Sequence, residues 1–242
     1  MSDRHPKLVV ALDVDSLDAA LGLVDRLQAL DVVFKVGYEA LFGYGDELRR
    51  RLEHAGAASF IDAKLHDIPR TVHAGVRALV RPGVELLTVH ALGGAEMLAG
   101  AVEAAEERAA DLNITPPKIF AVTILTSIAP EELLELGLHG GPGENVMRLA
   151  ALARDARCDG VVLSPHEVGD LKAFFGDHFL ALCPGIRPAG ATNGDQKRVA
   201  TPRSAVESGA DYLVVGRPIV EAPDPLAATE SILDEIRSAS VR

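Results

Sequence analysis

The 242-residue chain is too long for a helical hairpin or a disulfide-stapled miniprotein and long enough to bury one large core. Its 48% hydrophobic and 24% charged residues, with 22 Gly and 14 Pro, are ordinary globular values that exclude collagen-like, coiled-coil and low-complexity chains. A net charge of −11 opposes a surface that neutralises many phosphates, and 4% aromatics without Trp oppose a base-stacking platform, so no nucleic-acid partner is expected.

Cys158 and Cys183 lie in apolar runs without metal-ligand spacing and read as packing residues of a reducing compartment. The first six residues lack the apolar stretch of a signal peptide, and no run approaches the roughly 20 apolar residues that span a bilayer. The expected location is cytoplasmic, with no membrane partner.

In chain order, short β-branched runs predict strands over residues 7–14, 32–36, 58–64, 85–90, 118–125, 159–164, 179–184 and 211–216. Ala-, Leu-, Glu- and Arg-rich segments of helical period separate them, at 16–30, 39–54, 70–80, 94–111, 144–157, 165–175, 202–208 and 225–237. Ser16 and Asp224 read as N-caps, the second followed by Pro225 at the first helical position.

Continuous apolar strands alternating with amphipathic helices imply a parallel sheet covered by helices. Eight such units in this length predict a single-domain (β/α)8 barrel over residues 1–242. Leu12-Asp13-Val14-Asp15-Ser16 stands where a dinucleotide-binding fold would carry its Gly-rich turn, which disfavours that alternative. Two connections exceed what a barrel requires, 126–145 and 185–201, the first with a short helix near 131–136; both leave C-terminal strand ends and read as lid loops.

In a barrel, the polar residues ending the strands converge on one pocket. Here they are Asp13, Lys35, Asp62, Lys64, His90, Thr126, Ser127, Ser164, Gly216 and Arg217. Asp62 and Lys64, two apart on a strand, point to the same face as the apolar Phe60, at the edge of the barrel interior. Asp67 adds a second carboxylate and Lys35 completes an alternating Lys-Asp-Lys-Asp array. A salt-bridge network that merely joins strands two and three is the simpler reading, but stability alone seldom benefits from buried charges. A lysine between two carboxylates stays protonated and suits a proton donor rather than a nucleophile.

Gly185, Arg187, Gly194, Gln196, Gly216 and Arg217 follow strands seven and eight, the habitual phosphate site of such barrels, where Gly admits close approach and Arg offers paired donors. A small phosphorylated molecule is the implied ligand. His66, His73, His90 and His166 share no ligand spacing, so no metal site is expected.

These residues resemble the orotidine 5′-phosphate decarboxylase family over nearly the whole chain. The most specific element is Asp62-x-Lys64-x-x-Asp67-Ile68-Pro69-x-Thr71. It is supported in order by Leu12-Asp13, Lys35-Val36-Gly37, Val89-His90-Ala91, Leu125-Thr126-Ser127, Pro184-Gly185-Ile186-Arg187-Pro188, Gly194-Asp195-Gln196 and Gly216-Arg217-Pro218.

The resemblance implies that Lys64 protonates the pyrimidine carbon that loses CO2, with Asp62 beside the substrate carboxylate and Lys35 linking the array. It implies a homodimer in which Asp67 crosses into the partner's site. It places Asp13 and Thr71 at the ribose, Thr126 and Ser127 at the pyrimidine, and Arg187, Gln196, Gly216 and Arg217 at the phosphate and lid. It implies no cofactor and a nucleotide substrate, orotidine 5′-monophosphate, converted to uridine 5′-monophosphate. The alternatives are a metal-dependent keto-hexulose-phosphate decarboxylase or synthase of similar barrel, and a catalytically silent barrel that senses a phosphorylated metabolite.

Overall fold

The structure is a computed structural model that describes residues 6–188 and 199–239. Eight parallel strands pair in chain order and close on themselves: β1 (Lys7–Ala11), β2 (Val32–Val36), β3 (Ser59–Leu65), β4 (Val84–His90), β5 (Lys118–Val122), β6 (Gly160–Val162), β7 (Leu180–Cys183) and β8 (Tyr212–Val215). β8 pairs with β1 in the register Leu8↔Leu213 and Val9↔Val214, which completes the expected (β/α)8 barrel.

The pleat sorts each strand into two faces. Val9, Val33, Phe60, Leu86, Phe120, Leu182 and Val214 fill the barrel interior, while alternate residues such as Leu8, Val10, Phe34, Ile61 and Leu87 pack under the helices. Both faces are apolar, which is why the strands read as continuous hydrophobic runs.

Helices α1 (Leu17–Leu27), α2 (Tyr38–Gly43), α3 (Gly45–His54), α4 (Pro69–Leu79), α5 (Ala95–Leu112), α6 (Glu132–Glu135), α7 (Pro142–Asp155), α8 (Val168–Phe175), α9 (Pro202–Glu207), α10 (Arg217–Val220) and α11 (Pro225–Ser238) cover the barrel. The predicted caps form: Ser16 Oγ accepts from Ala19 N at 3.3 Å, and Asp224 accepts from Leu226 N and Ala227 N.

Three local departures from the sequence reading have identifiable causes. The helix expected over 39–54 breaks at Tyr44, whose φ of −152° and ψ of 22° lie between Gly43 and Gly45. The Tyr44 hydroxyl, donating to Val14 O at 2.6 Å, rewards the break. The strands expected over 7–14 and 118–125 stop at Ala11 and Val122, where the chain leaves the ladder to form the barrel mouth. α7 begins at Pro142 rather than Glu144, because Glu144 reaches back to accept from Gly141 N at 3.0 Å.

The β3–β4 ladder is irregular where it matters most. Between the pairs Ile61↔Leu87 and Leu65↔Val89, β3 advances four residues while β4 advances two. The surplus bulges at Asp62, Ala63 and Lys64, and Lys64 takes a φ of +44°, an uncommon left-handed conformation for a lysine.

Candidate active site

A cavity of about 530 Å³ opens at the C-terminal ends of the strands, with Phe60, Leu182 and Val214 of the interior layer at its floor. Its wall carries Asp13, Lys35, Asp62, Lys64, Thr126, Ser127, Arg187, Gly216 and Arg217. Two array members stand one pleat above apolar interior residues, Lys35 above Val33 and Asp62 above Phe60, so strand alternation itself carries charge to the lip of the core.

The charges alternate. Lys35 Nζ lies 2.9 Å from Asp13 Oδ1 and 3.6 Å from Asp62 Oδ2, and Lys64 Nζ donates to Asp62 Oδ2 at 2.6 Å. Asp62 is 9% exposed and Lys35 8%. Burial alone would raise the Asp62 pKa. The ammonium groups of Lys35 and Lys64, with hydrogen bonds from Lys64 and Thr88, outweigh it and hold the carboxyl below its ordinary range. Asp62 is therefore an ionised carboxylate at the edge of an apolar barrel.

The array runs Asp13, Lys35, Asp62, Lys64, and within this chain Asp67 does not join it. β3 ends at Leu65, the chain turns outward, and the exposed Asp67 uses Oδ1 to accept from Ile68 N at 2.7 Å. Thr71, exposed on the first turn of α4, is likewise absent from the cavity wall. Gly194, Asp195 and Gln196 lie outside the described residues. Arg187 is held beside the cavity by a bridge between Ile186 and Ala200, with Arg187 N donating to Ala200 O at 2.9 Å.

Two histidines flank the array. His66 and His90 stack with centroids 5.4 Å apart, and the buried Nδ1 of His90 has no hydrogen-bond partner. Burial, then the charges of His66 and Lys64, lower the His90 pKa, so this ring stays neutral. Among the described residues no group of three His, Cys, Asp or Glu side chains is placed to hold a metal ion. A divalent cation at Asp62 would meet the two ammonium groups already there.

The family model described as orotidine 5′-phosphate decarboxylase / HUMPS matches residues 6–232. This chain belongs to that family. A protein of Moorella thermoacetica named orotidine 5′-phosphate decarboxylase is 49% identical over 95% of this chain and 92% of its own. One of the same name from Saccharophagus degradans is 44% identical over 100% and 99%. The crystal structure of orotidine 5′-phosphate decarboxylase from Lactobacillus acidophilus superposes with a TM-score of 0.86 at 38% identity, covering 96% of this chain and 100% of that one.

In this decarboxylase-family barrel, three residues that the sequence reading did not place in the site also shape it. Thr88 hydrogen-bonds both Asp62 and Lys64. Tyr38 sets its ring 5.5 Å from Lys64 Nζ. Gly37 leaves the space that the Asp13–Lys35 pair occupies. Gly37 stood in a motif, and Tyr38 follows it; Thr88, an interior strand residue, carried no signal of its own.

Proposed function

We propose that this chain decarboxylates orotidine 5′-monophosphate to uridine 5′-monophosphate and CO2, the last step of uridine 5′-monophosphate synthesis in the de novo pyrimidine pathway. The observation that carries the reading is the alternating Asp13-Lys35-Asp62-Lys64 array at the lip of a barrel-mouth cavity of about 530 Å³. The family supplies the reaction. The geometry supplies roles.

With the pyrimidine over the apolar floor, breaking the C6–carboxylate bond releases CO2 and leaves an electron pair on C6. That pair has poor access to the ring π-system, so a positive charge nearby is the effective stabiliser. Lys64 Nζ is our candidate, and its proton then passes to C6, forming the C–H bond of the product; water reprotonates the lysine. Asp62 faces the departing carboxylate, and their repulsion is relieved as CO2 leaves. Lys35 holds Asp62 and Asp13 in place, and Asp13 reaches the ribose.

Arg217 and Arg187, beside Gly216, are assigned to the phosphate, with Gln196 contributing from the second lid. Thr126 and Ser127 are assigned to the pyrimidine edge. Loops 126–145 and 185–201 would close over the bound nucleotide, so that binding energy from the remote phosphate helps expel water from the charged array. No cofactor takes part.

The protein is proposed to work as a homodimer. The position of Asp67 and Thr71 supports this: both are exposed beyond the rim, where a second copy could present them to the facing cavity. Cytoplasmic placement is supported by two free, buried cysteines, Cys158 and Cys183; no helix among the described residues is long and apolar enough to cross a membrane. The test is conversion of orotidine 5′-monophosphate to uridine 5′-monophosphate by the purified protein with excess EDTA. Conversion is expected. No conversion by the folded protein would instead favour the metal-dependent sugar-phosphate reaction class.

A further inference from the structure

Lys64 is held in an unusual way for a residue asked to deliver a proton. Its φ of +44° is left-handed, and it sits where β3 and β4 fall out of register. The regular ladder that fixes neighbouring residues is interrupted there, and the Lys64 N–H instead finds a side chain: it donates to Thr88 Oγ1 at 3.0 Å.

The same oxygen serves a second partner. Thr88 Oγ1 donates to Asp62 Oδ1 at 2.9 Å. A hydroxyl has one proton to give and lone pairs to accept with, so both bonds are compatible, and together they complete a three-residue clamp. With Oδ1 occupied by Thr88, Oδ2 of Asp62 faces Lys64 Nζ at 2.6 Å and Lys35 Nζ at 3.6 Å. Thr88 thus fixes Lys64 twice, at its backbone directly and at its ammonium through Asp62.

Thr88 reaches this position by strand alternation. It lies one pleat beyond Leu86 on the interior face of β4, is 1% exposed, and is absent from the cavity wall. A residue so buried and away from the ligand space has no use for a hydroxyl in packing alone, since valine has nearly the same shape.

Resting on the decarboxylase reading, we propose that Thr88 is a positioning residue for the proton-transfer step, one hydroxyl that locks the bulged Lys64 backbone and the Asp62 carboxylate into a single arrangement. Valine would leave a part-buried N–H and a buried carboxylate oxygen without these partners, and the array would relax. Ground-state nucleotide binding, made by groups elsewhere in the cavity, would change little.

The experiment compares wild type with Thr88→Val, Thr88→Ser and Thr88→Ala for kcat, KM and affinity for uridine 5′-monophosphate. Thr88→Val and Thr88→Ala are expected to lower kcat by about 10- to 100-fold, the effect of losing a hydrogen bond to a charged group. Their KM and product affinity should stay within about twofold, the mark of an interaction that matters in the transition state only. Thr88→Ser, which keeps the hydroxyl, should remain within about threefold of wild type in kcat. In Thr88→Val the acid limb of kcat/KM should move to higher pH, because Asp62 loses a bond that favours its ionised form.

Wild-type kcat in Thr88→Val overturns the proposal. If valine prevents folding, the Ser and Ala variants decide, since both lack the methyl group and only one keeps the oxygen; equal loss in both overturns it. Wild-type protein that leaves orotidine 5′-monophosphate unchanged removes the decarboxylase reading and this role together, a result distinct from an active wild type matched by its valine variant.

Discussion

Gly37 leaves open the space that Lys35 enters: a Cβ at Gly37 would lie 2.7 Å from Lys35 Nζ, and equally close to Asp13, at 2.6 Å from its Oδ1. The φ of Gly37 is −88°, so the backbone itself would accept another residue. The requirement for glycine is the ion pair.

Gly37→Ala is therefore a lesion of geometry more than of stability. The displaced atoms are the ends of flexible side chains, and Asp13, with half its side chain exposed, can swing into solvent. The melting temperature should fall by no more than about 4 °C. Turnover efficiency should drop about 10- to 100-fold, because a shift of the array by a fraction of an ångström misplaces its charges. Steady-state kinetics beside a thermal melt checks this; unchanged kcat/KM would show that the Asp13–Lys35 contact is dispensable.

A pH effect on stability follows from His90. Its pKa is lowered below the ordinary 6.5 by burial first, then by His66 and Lys64, with Asp62 opposing. As pH falls through about 6.5 the unfolded chain binds a proton that the folded ring refuses, so the unfolded state holds more protons and stability declines. Above that range the penalty vanishes. Denaturation of wild type and His90→Gln at about pH 7.5 and about pH 5.5 reads the effect: the stability difference should shift in favour of the variant at the lower pH. A difference independent of pH would mean that His90 titrates as if exposed.

The shared-site proposal has its own test. Asp67→Asn and Lys64→Ala protomers should each be inactive alone. A mixed dimer would contain one site built from the intact Lys64 of one protomer and the intact Asp67 of the other. Mixing the two variants should restore about one quarter of wild-type activity, the statistical yield of one working site in half the dimers. Absence of recovery, with mixed dimers shown to form, would confine each site to one chain.

The barrel was legible in the sequence because parallel strands covered on both faces must be continuously apolar, and all eight predicted strands lie within three residues of the observed bounds at either end. Lys35 and Asp62 were legible as neighbours because period-two alternation puts them above Val33 and Phe60; Lys64 also reaches Asp62, but through the bulge rather than regular alternation. Tyr44 was not legible as a helix breaker, since its reward is a hydrogen bond to Val14, thirty residues away in sequence. The bulge at Asp62, Ala63 and Lys64 was hidden because register belongs to a pair of strands, and only β4 reveals that β3 carries extra residues. Asp13 was not foreseen as the member at the other end of the array, beside Lys35. That contact rests on the register of the β1–β2 pair, which sets Ala11 opposite Lys35 and so brings Asp13 beside it.

Lys64 carries the central role, and one comparison tests it directly: loss of orotate-ring ultraviolet absorbance with wild type and Lys64→Ala, in excess EDTA, alongside calorimetric binding of uridine 5′-monophosphate. Wild type should convert the substrate, and Lys64→Ala should be slower by more than about 100-fold while it still folds and binds product. A folded Lys64→Ala protein that turns over near the wild-type rate would contradict the assignment of Lys64 as proton donor.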